Sequence, residues 1–303
     1  MDKTLSAIIV TFNRLQKLKV TINKTCKERF DQIVIVDNYS NDGTKEWLDS
    51  LQDARLHIIH LEENIGGAGG FHVGFKYVVE NTLSDWLVCY DDDAYPKHGL
   101  VEKFIELSFA SDVSSVAASV FLTNGDISPM NRPRYNIFKH KKQYVEDSDY
   151  KSIIPIDIDM SSFVGYFIRT NLIKEYNHYP QKELFIYADD LIYSLYWTNV
   201  GYSHLFVSEL EFIHDTDTLH GDQGKYHPLW KVYYTFRNGI ELYRHMSKWS
   251  VVPFIIAKYI QLYFQKQYYP KERQKSYQTL INMAAKDGLQ KDFSRTFEQI
   301  KNI

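Results

Sequence analysis

Trp86-Leu-Val-Cys-Tyr-Asp-Asp-Asp-Ala94 is apolar from Trp86 to Tyr90 and then runs into three carboxylates. The apolar part reads as a buried strand. Side chains alternate along a strand, so Asp91 and Asp93 point to one side and Asp92 to the other. Two acids converging at a strand end repel unless a cation lies between them. Oxygen ligands of this kind suit Mg²⁺ or Mn²⁺, and a metal held this way keeps positions open for substrate phosphates. The competing reading is a solvated acidic turn. Three acids closing a buried strand favour the metal.

The same pattern recurs upstream. Leu5–Phe12 is an apolar, β-branched run followed by the polar turn Thr11-Phe-Asn-Arg14. Residues 15–27 carry Leu15, Leu18 and Ile22 on one helical face. Gln32–Val36 reads as a second strand, closed by Asp37-Asn-Tyr-Ser-Asn-Asp-Gly-Thr44 and a helix from Lys45 to Leu51. Leu56–His60 is a third strand, and Asn64-Ile-Gly-Gly-Ala-Gly-Gly-Phe71 opens a helix that runs to about Asn81. Strand–helix alternation predicts a mostly parallel sheet with helices on both faces. Ligands of such sheets bind beyond the carboxyl ends of the strands. Arg14, Asp37, Asn38, the glycine loop and the three acids are therefore expected along one rim.

Downstream the pattern loosens. A helix is expected over Leu100–Phe109, with strands over Val116–Leu122, Ile153–Met160 and Phe206–Ile213. Residues 123–152 read as a loop or hairpin insertion, and Ser161–Tyr166 as a bend before a helix, Thr170–Tyr176. Asp189 and Asp190 precede a helix, Leu191–Asn199, where the helix dipole favours carboxylates. One of the pair reads as an ordinary cap. The other is placed to act as a general base. His214 closes an apolar strand and is a candidate third metal ligand. His204, His220 and His227 lack zinc spacing and read as surface or loop residues. The loop from Asp215 to Pro228 has no apolar period. The glycines in Gly66-Gly67-Ala68-Gly69-Gly70 lack the dinucleotide spacing. They serve either close approach of a ligand to the backbone or tight packing of helix on sheet.

Composition sets the outer bounds. A chain of 303 residues with 44% hydrophobic content builds a packed core. A net charge of −3 gives no general attraction to nucleic acid. Two cysteines, Cys26 and Cys89, fit a reducing compartment, and a cytoplasmic location is expected. No P-loop or Gly-x-Ser-x-Gly sequence occurs, which argues against a P-loop enzyme or a serine hydrolase. Val251–Phe264 is apolar but too short to span a bilayer, and Lys266, Lys271, Arg273 and Lys275 follow it. It reads either as an interfacial helix making peripheral membrane contact through about 250–275, or as a helix packed on the domain or on a second copy in a homo-oligomer.

These pieces, in this order over about residues 5–240, resemble a family-2 glycosyltransferase of the GT-A fold. The matching stretches are Ile9–Arg14, Ile33–Thr44, Asn64–Phe71, Asp91–Ala94, Leu184–Asp190, Gly201-Tyr202, Ile213-His214 and Trp230–Asn238. The glycine loop, the triple acid and the late Arg237-Asn238 look most like the galactofuranosyltransferase and rhamnosyltransferase branch. The resemblance implies an α/β GT-A catalytic domain over 1–238, with a nucleotide-sugar half (about 1–95) and an acceptor half (about 96–238). A C-terminal helical region, 239–303, follows. It implies an inverting transferase acting on a UDP-sugar, most closely UDP-galactofuranose, and a glycan or polyprenyl-linked glycan acceptor in bacterial surface polysaccharide synthesis. The runner-up donor is dTDP-rhamnose. A non-catalytic nucleotide-sugar-binding protein and a nucleotidyltransferase are the alternatives of another kind. Asp91, Asp93 and His214 would hold Mn²⁺ or Mg²⁺, and Asp190 would be the base with Asp189 as helper. Thr11, Asn13, Arg14, Asp37, Asn38, Asn64, Gly66, Gly67, Gly69, Gly70, Asp91 and Asp92 would face the nucleotide sugar, with Asp37 on the uracil. Ser161-Ser-Phe-Val-Gly-Tyr166 departs from the bulky aromatics of that branch, so acceptor recognition differs there.

Overall fold

Alternation along three buried strands decides where the helices go. In β1 (Leu5–Thr11), β2 (Gln32–Asp37) and β4 (Trp86–Asp91), odd and even positions feed two different cores. Leu5, Ala7, Ile9, Ile33, Ile35, Trp86, Val88 and Tyr90 face one layer, with Leu18, Ile22, Leu48 and Phe104. Ile8, Val10, Val34, Val36, Leu87 and Cys89 face the other, with Phe75, Ile173, Tyr193 and Trp197. Both faces being covered is what a parallel sheet demands.

The computed structural model describes residues 3–216 and 226–303. The helices flanking the first strands are α1 (Leu15–Thr25), α2 (Thr44–Asp49) and α3 (Gly66–Asn81), with β3 (Leu56–His60) before α3. After β4 come β5 (Ala94–Pro96), α4 (Leu100–Glu106), β6 (Val113–Leu122), β7 (Ile156–Ile158) and β8 (Tyr166–Arg169). Then follow α5 (Thr170–Tyr176), α6 (Asp189–Asn199) and β9 (Ser203–His214). Four further helices close the chain: α7 (Lys231–Met246), α8 (Val251–Gln265), α9 (Lys271–Gln290) and α10 (Phe297–Lys301). The sheet order is β3-β2-β1-β4-β8-β6-β9-β5, with β7 also on β9. Strands β1 to β4 pair in parallel; β8 runs antiparallel to both β4 and β6.

Several expectations are corrected. The helix expected to reach Phe109 stops at Glu106, and the strand expected over Ile153–Met160 shrinks to Ile156–Ile158. The bend at Ser161–Tyr166 leads into a real strand, β8, and β5 was not foreseen, because each is too short to show a period. His204 is fully buried in β9, not on the surface; its Nε2 lies 3.2 Å from Ser161 Oγ, and burial pushes it down to about 3. His227 is exposed, as expected, while His220 and most of the loop over 215–228 lie outside the described residues. The division at 238/239 falls inside α7, which packs on α6, α8 and α9. No helix of the described residues is long and apolar enough to cross a membrane.

Candidate active site

Strand register brings the polar groups together. Val10 lies opposite Asp91 and Thr11 opposite Asp37, so the ends of β1, β2 and β4 share one rim. Ala94 of β5 pairs with His214 of β9, which sets the imidazole beside the acids that close β4. Ligand atoms of Asp91, Asp93 and His214 all lie within 4.8 Å of one another. His214 Nδ1 lies 2.7 Å from Asn131 Oδ1, and its Nε2 lies 3.1 Å from Asp93 Oδ1. The amide oxygen can only accept, so Nδ1 carries a hydrogen, and Nε2 is the ring nitrogen turned to the acids, where it bonds Asp93. Asn131 is fixed in turn by Ser128 Oγ at 2.7 Å and by its own bond to Ser162 Oγ at 2.9 Å.

The three acids divide by environment. Asp92 turns away, accepting from Thr11 Oγ1 at 2.7 Å and from the Phe12 N–H at 3.3 Å; burial still pushes it up to about 6. Burial, with the charge of Asp93 added, pushes Asp91 up to about 8. Burial also acts on Asp93, but the bond to His214 and the Arg14 guanidinium outweigh it and hold Asp93 below the ordinary carboxylate range. Two carboxylates and an imidazole oriented by Asn131 form a donor set that fits a divalent cation, which would stabilise the ionised Asp91 that burial disfavours.

The glycine loop splits between its two readings. Gly66 has φ +77°, and a Cβ there would sit 2.1 Å from the Phe185 carbonyl oxygen. Gly67 has open space beside it, and both glycines line the cavity. Gly69 and Gly70 instead pack: a Cβ would meet Ile65 at 2.6 Å and Val10 at 2.5 Å. Asn38 Nδ2 bonds Gly66 O at 2.9 Å and Asn64 Oδ1 at 3.1 Å, so two amides on the cavity wall brace the loop. Asn13, exposed, and Asp37, buried, are not among the residues that line the cavity. Asn13 Oδ1 accepts from the Asn41 N–H at 2.7 Å, and Asp37 accepts from Ser40 N–H at 3.0 Å and meets His60 at 2.9 Å.

Asp189 and Asp190 begin α6, after a backbone that few residues adopt. Phe185, Tyr187 and Ala188 have φ of +66°, +70° and +63°. Such conformations cost about 1–3 kcal/mol each. The late Arg-Asn pair holds them. Asn238 Nδ2 donates to the carbonyls of Leu184, Ile186 and Tyr187 at 2.8–3.0 Å. Arg237, fully buried, donates to those of Glu183 and Leu184 and to Asn238 Oδ1. Ala68 N–H caps the Phe185 carbonyl at 3.1 Å, tying this turn to the glycine loop. Burial and the charge of Asp190 push Asp189 up to about 8. Burial also raises Asp190, against the pull of the Leu191 N–H and of Arg134.

One cavity of about 870 Å³ joins the Asp91–Asp93–His214 corner to Asp189 and Asp190. Arg134 and Lys231 line it too, and sequence reasoning missed both. Lys231 could have been suspected from its place at the start of the Trp230–Asn238 stretch; Arg134, in an irregular insertion, gave no signal. Asn131 was equally silent.

Residues 6–167, more than half of the chain, match the model of the glycosyl transferase family 2. The chain belongs to that family. Among characterised proteins, this family-2 chain is 23% identical over 218 residues to the dTDP-rhamnosyl transferase RfbF of Shigella flexneri, covering 71% of this chain and 70% of RfbF. Among solved structures it is similar to S. aureus TarS 1–349 in complex with UDP-GlcNAc (TM-score 0.59, 14% identity, 99% of this chain and 90% of TarS). It is also similar to GalNAc-T7 with UDP, GalNAc and Mn²⁺ (TM-score 0.59, 17% identity, 97% of this chain and 58% of that one). The fold is GT-A, a mostly parallel sheet between helices with further helices at the C-terminal end.

Proposed function

We propose that the chain is an inverting glycosyltransferase that moves galactofuranose from UDP-galactofuranose to a hydroxyl of a glycan or lipid-linked glycan. The observation that carries this is the single cavity holding a metal-type donor set at one end and a buried acid pair at the other. Asp190 takes the proton of the acceptor hydroxyl as its oxygen attacks the anomeric carbon. The bond from that carbon to the diphosphate breaks, its electron pair leaves with UDP, and the configuration inverts. Burial, which raises Asp190, makes it a stronger base than an exposed carboxylate. Asp91, Asp93 and His214 are the residues to hold Mn²⁺ or Mg²⁺, which would neutralise charge on the leaving diphosphate. Arg14 and Lys231 add fixed positive charge at the same end. Thr11, Asn38, Asn64, Gly66 and Gly67 supply the wall for the nucleotide sugar.

The similarity to RfbF favours a second donor, dTDP-rhamnose. A thermal-shift panel of UDP- and dTDP-sugars with Mn²⁺ separates the two. UDP-galactofuranose is expected to give the largest stabilisation; selective stabilisation by dTDP-rhamnose would replace the donor.

A further inference from the structure

Helix α8 has two faces with different work. Its inner face packs: Val251 and Leu262 are buried, and Phe254, Ile255 and Tyr259 lie on the cluster built by α7 and α9. Its outer face is apolar and uncovered. Val252 is 60% exposed, Ile256 56%, Ile260 52% and Phe264 64%, with Tyr263 among them and Trp249, 92% exposed, just before the helix. At 100° per residue, Val252, Ile256, Ile260, Tyr263 and Phe264 fall within one continuous face. No acid occurs anywhere on α8.

We infer that this face docks on an anionic bilayer surface. Charge selects the occupant. Between 248 and 275, leaving aside Lys258, which turns inward to the cavity, the chain carries Lys248, Lys266, Lys271, Arg273 and Lys275 against one acid, Glu272, although the whole chain is net negative. An apolar strip with cations around it matches a lipid interface with anionic headgroups. A second copy of this chain would bring an equal charge of the same sign against it across a two-fold contact. The helix has 15 residues, about 22 Å, and so lies in the interface rather than crossing it.

The inner side of the same helix reaches the cavity. Phe254 and Lys258 line it, and Phe254 fits because Gly239 of α7 has no Cβ; one would sit 3.0 Å from the ring. Phe254 also stacks on Tyr243 with ring centres 3.9 Å apart. A helix lying on the bilayer therefore holds one end of the cavity about one helix diameter, roughly 10 Å, from the lipid surface, within reach of the sugar of a lipid-anchored acceptor. That last step rests on the transferase reading; the docking itself does not.

The test is co-sedimentation of the full chain with phosphatidylcholine vesicles, with and without anionic phosphatidylglycerol, at low and high salt. Pelleting is expected with the anionic vesicles and is expected to weaken with salt. The double substitution Ile256→Asp and Ile260→Asp is expected to lower it roughly tenfold or more. Charge reversal at Lys271→Glu and Lys275→Glu is expected to reduce it on anionic vesicles only. UDP-induced thermal stabilisation, unchanged in both variants, shows that they fold. Equal pelleting of the parent and the Ile256/Ile260 variant overturns the proposal. So does a parent dimer that this substitution splits into monomers in light scattering, which would make the face a contact between copies. Vesicle binding needs no sugar nucleotide, so a failed transfer assay leaves this result standing.

Discussion

The two acid groups of the cavity share burial and differ in the partners set beside them. Asp91 and Asp93 have fixed positive or imidazole neighbours: Arg14 sits on Asp93, and His214 closes the corner. Asp189 and Asp190 have backbone donors and the more distant Arg134, and no ion pair to either is found among the described residues. In the first group these partners hold Asp93 ionised, whereas burial raises Asp91 much as it raises the second group, and a cation would be needed to keep it ionised. In the second, burial raises the affinity for a proton, which suits a group that must take one up. The lesson is that an acid pair in sequence says little by itself; what surrounds it assigns the work.

The sharpest way to break that contrast is to remove charge from the second group alone. Asp190→Asn keeps the shape of the site and its bond to Leu191 while deleting the base. Transfer is expected to fall by about three orders of magnitude, while UDP and Mn²⁺ binding, read by thermal shift, persist. Transfer at the parent rate would show that the base lies elsewhere. Loss of transfer with full nucleotide-sugar binding also separates an enzyme from a passive binder, since a passive binder has no rate to lose.

A second, smaller effect probes how the acid is aimed. Asn238 holds three carbonyls of the turn that precedes Asp189, and Asn238→Ala leaves all three without that donor. The Leu184 carbonyl keeps Arg237 and the Ile186 N–H, but those of Ile186 and Tyr187 lose this donor, at up to about 1–3 kcal/mol for each left without a partner, so the turn is expected to relax from its positive-φ form. We expect kcat to drop roughly tenfold to a hundredfold, because small displacements of a reacting group carry costs of that size. KM for the donor is expected to move less than kcat, since the metal corner is on other elements and the turn meets the donor wall only through the glycine loop. A lower melting temperature with unchanged kcat would reduce Asn238 to a purely structural role.

Legibility followed regularity. β1, β2, β3 and β4 and the helices between them announced themselves through alternation and turn residues, and the rim at their carboxyl ends came with them. His214 was found because it ends a long apolar run. The antiparallel wedge β8 and the short β5 escaped, since a strand of three or four residues has no period to read. Asn131 and Arg134 escaped for a different reason: they sit in an irregular insertion, and only tertiary contacts bring them to the imidazole and to Asp190. Gly69 and Gly70 show the converse. Their sequence fits ligand approach and packing alike, and only the distance to Ile65 and Val10 gives them to packing.

Arg134 offers the finest adjustment of the contrast between the two acid groups. Its charge is one of the influences that draw Asp190 downward against burial. Replacing it by glutamine removes that pull, so the carboxyl rises further and is protonated over more of the acidic range. The base form is the one that works, so the acid limb of kcat/KM is expected to move to higher pH, while the rate well above that limb stays near the parent value. The loss is expected on that acid limb alone, and the shift of the limb is read directly from the pH profile. A uniform loss at every pH would instead assign Arg134 to binding the acceptor. A limb moving to lower pH would mean that Asp190 is not the group being titrated.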